Sequence, residues 1–323
     1  MALLISGCGG VANQIIGLRA TATATVTPTP LPTATPTATV TATAMPTPTA
    51  TTTPTPLPPA VSVAVEPESP AQGQTVVVRV TLDRAGRVSG AFDGQPLTFL
   101  YGSATEAWAL VGVPPWNATG ERLLLLEVVA PDGQRARVTR ALPVRATNFA
   151  LQNIDMPVEQ AFFLSAGLRP AEDAYLAPIL NQVSPEPLWD GPFGIPADGV
   201  RTSPYGARRS YQGGSTASYH GGIDFAAPEG TPVLAPANGI VVLAEPLYVR
   251  GNLVILDHGA GVHTLYYHLS QVDVAEGQTV FRGDLLGLMG STGLSTGSHL
   301  HWEVRIGEVY VAPDEWLARD FRP

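Results

Sequence analysis

The chain has 323 residues, of which 45% are hydrophobic and only 14% charged, with a formal net charge of −9 and a pI near 5.1. All 18 basic residues are Arg, and this acidic balance excludes the broad cationic face that non-specific nucleic-acid binding requires. The 33 Gly and 31 Pro point to turn-rich β folds, and the length suits two modest domains plus a linker.

Residues 1–19 hold Ile5-Ser6-Gly7-Cys8, which resembles a bacterial lipobox, a branched residue and two small ones before Cys. Cys8 is the only Cys, so no intrachain disulfide can form, and lipidation accounts for a lone Cys there better than packing does. The preceding apolar stretch is about half the usual length and lacks a basic start, so the true start is expected upstream. Residues 20–59 alternate Thr, Pro and Ala, as in Thr27-Pro28-Thr29-Pro30. Such a segment cannot bury a core and favours extended polyproline-like chain. At about 3.1 Å per residue it would make a stalk on the order of 120 Å long.

Residues 60–147 read as a small β-sandwich. Strands are predicted at Val61–Val65, Thr75–Leu82, Arg87–Phe92, Trp108–Val113, Arg122–Val129 and Arg135–Leu142, separated by turns such as Pro131-Asp132-Gly133-Gln134. This spacing suggests an immunoglobulin-like fold without its Cys pair. The unit contains no His or Cys and is expected to be a spacer or a binding module. Trp108 and Trp116 are candidates for a glycan-binding face, although core or rim positions are the more economical expectation. Residues 148–197 form a connector, with one short helix predicted over Pro170–Asn181 and limited by Pro178. Trp189-Asp190-Gly191-Pro192-Phe193 is expected to begin the packing onto the next domain.

Residues 198–323 carry the chemistry. Strands are predicted at Val233–Leu234, Gly239–Leu243, Leu253–Leu256, Val262–His268, Thr279–Phe281, Leu285–Met289 and Leu300–Ile306. All six His of the chain fall here: His220, His258, His263, His268, His299 and His301. His299 and His301 are two apart and share a face if the segment is a strand. His220 and Asp224 are four apart, and Gly221-Gly222 between them argues for extended chain rather than helix. Two His and an Asp can hold one metal ion, since catalytic zinc usually takes three protein ligands and keeps a fourth position for water. No His-Glu-x-x-His occurs. His258 and His263 are left out of the site as packed or surface residues.

His220-x-x-x-Asp224, the strand ending Tyr266-Tyr267-His268-Leu269, and His299-Leu300-His301 follow one another in a fixed order. Around them stand Arg201-Thr202-Ser203-Pro204-Tyr205-Gly206, Gly230-Thr231-Pro232-Val233, Gly251-Asn252-Leu253-Val254 and Gly290-Ser291-Thr292-Gly293. Together these resemble the lysostaphin-type (LytM-like) zinc metallopeptidases, which cut peptide cross-bridges in bacterial peptidoglycan. The resemblance implies a mainly β domain, an antiparallel two-sheet arrangement (the duplicated hybrid motif) with a central groove. It makes His220, Asp224 and His301 the ligands of one Zn2+ ion, with His268 and His299 flanking as non-ligands. It also implies a Tyr near the developing oxyanion, for which Tyr211 is the first candidate and Tyr205 the fallback. Arg208 and Arg209 are candidates for contacts with acidic substrate groups, surface solvation being the equal alternative.

The implied function is a zinc metalloendopeptidase of the cell envelope that works on peptidoglycan as a monomer. A lipid anchor at Cys8 is its only expected tie to a membrane. The alternative is a non-catalytic wall-binding protein or an activator of another wall hydrolase.

Overall fold

The computed structural model describes Thr27 and residues 57–155, 162–163, 167–211 and 216–322. The Cys8 segment and nearly all of the Thr/Pro tract therefore lie outside the described residues. Among the described residues no helix is long and apolar enough to cross a membrane.

Eight strands build the first half: β1 (Val61–Glu66), β2 (Thr75–Leu82), β3 (Arg87–Phe92), β4 (Gln95–Leu97), β5 (Leu100–Ser103), β6 (Glu106–Gly112), β7 (Gly120–Val129) and β8 (Arg135–Val144). They form two four-stranded antiparallel sheets, ordered β1-β2-β6-β5 and β4-β3-β7-β8. Val76, Val78 and Val80 of one sheet share a core with Leu124, Leu126 and Val128 of the other. In β7 the alternation is plain, with Leu124 and Leu126 buried and Leu123 and Leu125 exposed. β4 and β5 were not expected; each is short and flanked by turns, below the length at which alternation becomes visible.

β2 departs from alternation because both of its faces are covered. Val77, together with Trp108 and Leu110 of β6, packs into the core of the C-terminal half. Polar contacts seal this seam: Glu315 accepts hydrogen bonds from Gln74 Nε2 and the Thr75 amide, both at 2.8 Å, and Trp316 Nε1 donates to Thr75 Oγ1 at 3.1 Å. The first half is thus docked on the second. Trp108 is buried in that seam. Trp116 is half-exposed and packs edge-on against Tyr310, with ring centroids 5.6 Å apart.

In the connector, β9 (Leu151–Ile154) is followed by helix α1 (Leu168–Leu180), which begins two residues before the predicted start. Pro178 sits in its last turn, where its missing amide costs one hydrogen bond without stopping the chain. Trp189 and Phe193 are buried as expected; Trp189 Nε1 donates to Asp320 and the Phe193 amide to the Trp316 carbonyl.

The C-terminal half contains β10 (Val200–Ser203), β11 (Arg208–Tyr211), β12 (Thr216–Tyr219), β13 (Ile223–Ala226), β14 (Pro232–Leu234), β15 (Gly239–Leu247), β16 (Gly251–Asp257), β17 (Val262–Leu269), β18 (Gln271–Val272), β19 (Thr279–Val280), β20 (Leu285–Leu288), β21 (His299–Ile306), β22 (Val309–Val311) and helix α2 (Pro313–Ala318). The large sheet runs β10-β13-β21-β17-β16-β15-β19, with β22 also on β21. Two small sheets, β12-β11-β9 and β14-β20-β18, flank it. Pairing is antiparallel throughout this half except that β9 runs parallel to β11, which brings the connector into the domain.

β21 is the central strand for function, and it is buried on both faces. Leu300, Trp302 and Val304 enter the main core. On the other face lie His301, Glu303 and Arg305, paired across to Tyr267, Leu265 and His263 of β17. Leu176 and Leu180 of α1 pack on Leu265 and Tyr267, so α1 roofs that second face.

Candidate metal centre

Neighbouring strands bring the metal candidates together. In the register of β13 against β21, Asp224 stands opposite His301, and on the other side His301 stands opposite Tyr267. His220 lies just before β13. Gly221 and Gly222 let that segment press against β21: a Cβ on Gly222 would lie 2.1 Å from the Trp302 carbonyl oxygen, and one on Gly221 would lie 2.4 Å from the Tyr310 ring. The two glycines are therefore a close-approach requirement.

His220 Nε2, Asp224 Oδ1 and His301 Nδ1 form a triangle with sides of 2.8 to 2.9 Å. The far side of each ring fixes its tautomer. His220 Nδ1 donates to the Pro204 carbonyl at 2.8 Å, and His301 Nε2 donates to Glu303 Oε1 at 2.9 Å. In the neutral rings both inward nitrogens are then bare lone pairs, and they face a carboxylate oxygen. Three buried acceptors aimed at one point require a cation. A divalent metal fits this donor set, and among the described residues this is the one such cluster found. Burial pushes the pKa of His220 down to about 4, despite the Asp224 carboxylate beside it. Burial also works against charging His301, but its hydrogen bonds to Asp224 and Glu303 outweigh this and raise its pKa, as befits a place that wants positive charge. Burial would raise the pKa of Asp224, yet contact with His220 and His301 holds it well below the usual carboxylate range.

His268 and His299 stand beside the triangle, their rings 4.7 Å apart. His268 Nδ1 donates to the Thr292 carbonyl at 2.7 Å, and His299 Nδ1 to the Gly297 carbonyl at 2.8 Å. Each ring thus keeps Nε2 as its basic atom, and His299 Nε2 lies 4.0 Å from Asp224 Oδ1. Burial lowers the pKa of both. His268 adopts φ of 65°, a conformation costing on the order of 1–3 kcal/mol for a non-glycine residue. The β16–β17 register also slips near this point, between Asn252 and Val254. A strand that continued regularly past Tyr267 would turn the next side chain to the opposite face, and this irregularity re-aims it.

A groove of about 490 Å³ opens over the five residues, lined also by Tyr211, Arg209, Arg169 and the loop Leu294–Ser298. Tyr211 lines the groove, whereas the fallback Tyr205 does not: it is buried in the core and donates to the Tyr310 carbonyl at 3.0 Å. Arg209 was expected on a substrate or in solvent. Instead its Nη2 reaches Asp224 Oδ2 at 2.7 Å, holding the oxygen that faces away from the triangle. Arg208 is exposed and bonds the Phe149 carbonyl.

Sequence reasoning missed Glu303 and Arg305. The signal was present: from His299 to Ile306 polar and apolar residues alternate strictly, so Glu303 and Arg305 share a face with both histidines. His258 and His263 lie at the far end of β16 and β17, away from the groove.

The family model for peptidase family M23 matches residues 218–313. The DD-carboxypeptidase/endopeptidase Mpg of Neisseria meningitidis is 50% identical over 94 residues, 29% of this chain and 22% of that protein. The peptidoglycan DD-endopeptidase ShyA of Vibrio cholerae is 47% identical over 85 residues, 26% of this chain and 20% of that protein. The chain thus spans about a fifth of the length of these curated relatives. A solved structure from Pseudomonas aeruginosa assigned to peptidase M23 aligns over 77% of this chain and 94% of its own, with 29% identity and a TM-score of 0.54.

Proposed function

The chain belongs to peptidase family M23 over residues 218–313, and from that premise we propose that it is a zinc-dependent metalloendopeptidase. Its substrates are peptide bonds in the stem peptides or cross-bridges of bacterial peptidoglycan. The observation that carries this reading is the convergence of His220 Nε2, Asp224 Oδ1 and His301 Nδ1, with both nitrogens stripped of protons by their outer hydrogen bonds. Two neutral imidazoles and one carboxylate suit zinc with one position left open. Bound there, zinc supplies Lewis acidity and lowers the pKa of a water towards neutrality.

The protein's own side chains do the rest. His268 and His299, neutral at pH 7 through burial, each present a basic Nε2 to the groove. One accepts the proton of the attacking water and returns it to the leaving amine. The Tyr211 hydroxyl is a donor for the oxyanion as charge develops on the scissile carbonyl, and an imidazole ring joins it only while protonated at Nε2. Arg209 holds Asp224 in its single orientation and leaves one carboxylate oxygen for the metal.

Two relatives carry endopeptidase names, one of them naming peptidoglycan, and this supports a wall substrate and action outside the cytoplasm. An anchor at Cys8 with a Thr/Pro stalk would hold a monomeric enzyme at the envelope. All five side chains of the expected set are in place, which speaks against a purely binding role.

The test uses the purified chain, one equivalent of zinc and isolated peptidoglycan. Newly released amino groups are counted, with a chelated sample and a His301→Ala variant alongside. Release that stops in both controls, and zinc binding that His301→Ala abolishes, is the expected result. Release that persists without metal refutes the reading.

A further inference from the structure

Helix α1 lies outside the residues matched by the peptidase family, yet a chain of buried ionic contacts leads from it to the metal triangle. It starts at Glu172. Glu172 Oε2 accepts from Arg250 Nη1 at 2.7 Å, and Glu172 Oε1 accepts the Val249 amide at 2.6 Å. Asp173 takes the remaining arm of the same guanidinium. Arg250 Nε then donates to the Tyr267 hydroxyl at 3.0 Å, which also accepts from Arg305 Nη2 at 3.3 Å. Arg305 Nε donates to Glu303 Oε2 at 2.7 Å, and Glu303 Oε1 holds His301 Nε2. Glu172, Arg250, Tyr267, Glu303 and Arg305 are all buried.

The same clamp has a second output. The Arg250 carbonyl accepts the His268 amide at 3.0 Å, at the residue that carries the positive φ. One helix thus braces the orientation of His301 through side chains and the placement of His268 through the backbone.

We propose that α1, through Glu172 and Asp173, is a positioning element of the metal centre and a working part of the peptidase unit. This rests on the metallopeptidase reading above. Partners that hold a metal-binding imidazole in place typically change metal affinity 10- to 100-fold when removed. Burial of the path from Glu172 to Glu303 limits the ways in which solvent could substitute for a lost contact.

The experiment uses the full chain and two conservative variants, Glu172→Gln and Tyr267→Phe. Zinc affinity is read by competition with a chromophoric chelator, and the geometry of the site by the visible spectrum of the cobalt(II)-loaded protein. Thermal midpoints are taken in parallel, with Val78→Ala in the first sandwich as a control for plain destabilisation. The expected result is zinc binding weakened about tenfold or more in both variants, an altered cobalt spectrum, and kcat lowered with KM little changed. Val78→Ala lowers the midpoint and leaves zinc affinity and the cobalt spectrum as in the parent. If Glu172→Gln fails to fold, Tyr267→Phe decides alone, since it removes one oxygen and leaves the helix intact. Parent-like zinc affinity and cobalt spectrum in Tyr267→Phe, or in a folded Glu172→Gln, overturn the proposal while the parent's zinc binding and peptidoglycan cleavage stand. A parent that neither binds zinc nor cleaves peptidoglycan refutes the enzyme reading instead.

Discussion

His258 and the four histidines of the groove sit at opposite ends of the same strands, and they differ in what their ring nitrogens have left to offer. At one end His258 is spent: Nδ1 donates to the Asn238 carbonyl at 2.7 Å and Nε2 accepts from the Thr264 hydroxyl at 2.7 Å. Its ring also packs 4.9 Å from that of Phe193, making it a core residue with a satisfied polar edge. At the other end His220, His268, His299 and His301 each have one nitrogen bonded outward to a carbonyl or carboxylate. Their second nitrogens converge on the groove. Residue type is the same in the two places, and His220, His268 and His301 are buried as His258 is. What marks the site is the convergence of several uncommitted lone pairs, since buried His263 also has ring nitrogens with no hydrogen-bond partner.

The largest effect that would sharpen this contrast comes from His299, which the proposed mechanism places beside the metal without holding it. His299→Ala should keep one zinc per chain but lower kcat by about 10²- to 10⁴-fold, the usual contribution of positioned proton transfer. Loss of zinc in this variant would move His299 into the ligand set. Parent-like turnover would leave His268 as the only proton carrier.

A smaller effect tests the spent histidine. Burial pushes the pKa of His258 down to about 4, with the Asn238 carbonyl only partly opposing it. Above its ordinary value of about 6.5 the ring is neutral both folded and unfolded, and contributes no pH dependence. As pH falls from there towards 4 the unfolded chain takes up the proton and the folded chain does not, so stability falls. The loss from this residue is about 3 kcal/mol across that window. His258→Gln should start less stable at pH 7 but lose about that much less between pH 6.5 and 4. Urea midpoints of metal-free protein at a series of pH values measure it. Parallel curves for parent and variant would mean that His258 charges as freely folded as unfolded.

The candidate site residues were legible in the sequence because the family-like order of His220, Asp224, His268, His299 and His301 is a matter of residue type and spacing. Many strands were legible too, half-wet ones such as β7 and doubly covered ones such as β2 and β17 alike, from their runs of branched and aromatic residues. The supports were not. Glu303 and Arg305 belong to a run that reads as a strand from its aromatic and branched content, and that reading does not single out its charged residues. The structure buries them under α1, and nothing local to β21 announces a helix 130 residues upstream. Arg209 was noticed but left between substrate and solvent, because its partner Asp224 becomes its neighbour only once β11 and β13 are both placed.

The two tyrosines extend the histidine lesson to hydroxyl groups and give the smallest expected effect. Tyr205 is committed: its hydroxyl donates to the Tyr310 carbonyl within the core, and burial raises its pKa well above the ordinary value, so it stays protonated. Tyr205→Phe should therefore cost about 1 kcal/mol of stability, the net value of one buried hydrogen bond, and leave kcat unchanged. Tyr211 lines the groove, and Tyr211→Phe should lower kcat without a matching loss of stability. Both are read by pairing a denaturation curve with peptidoglycan turnover on the same preparation. If Tyr205→Phe instead slowed turnover at unchanged stability, the oxyanion role would have to reach the groove from inside the core, and commitment of the hydroxyl would no longer separate structural from catalytic tyrosines here.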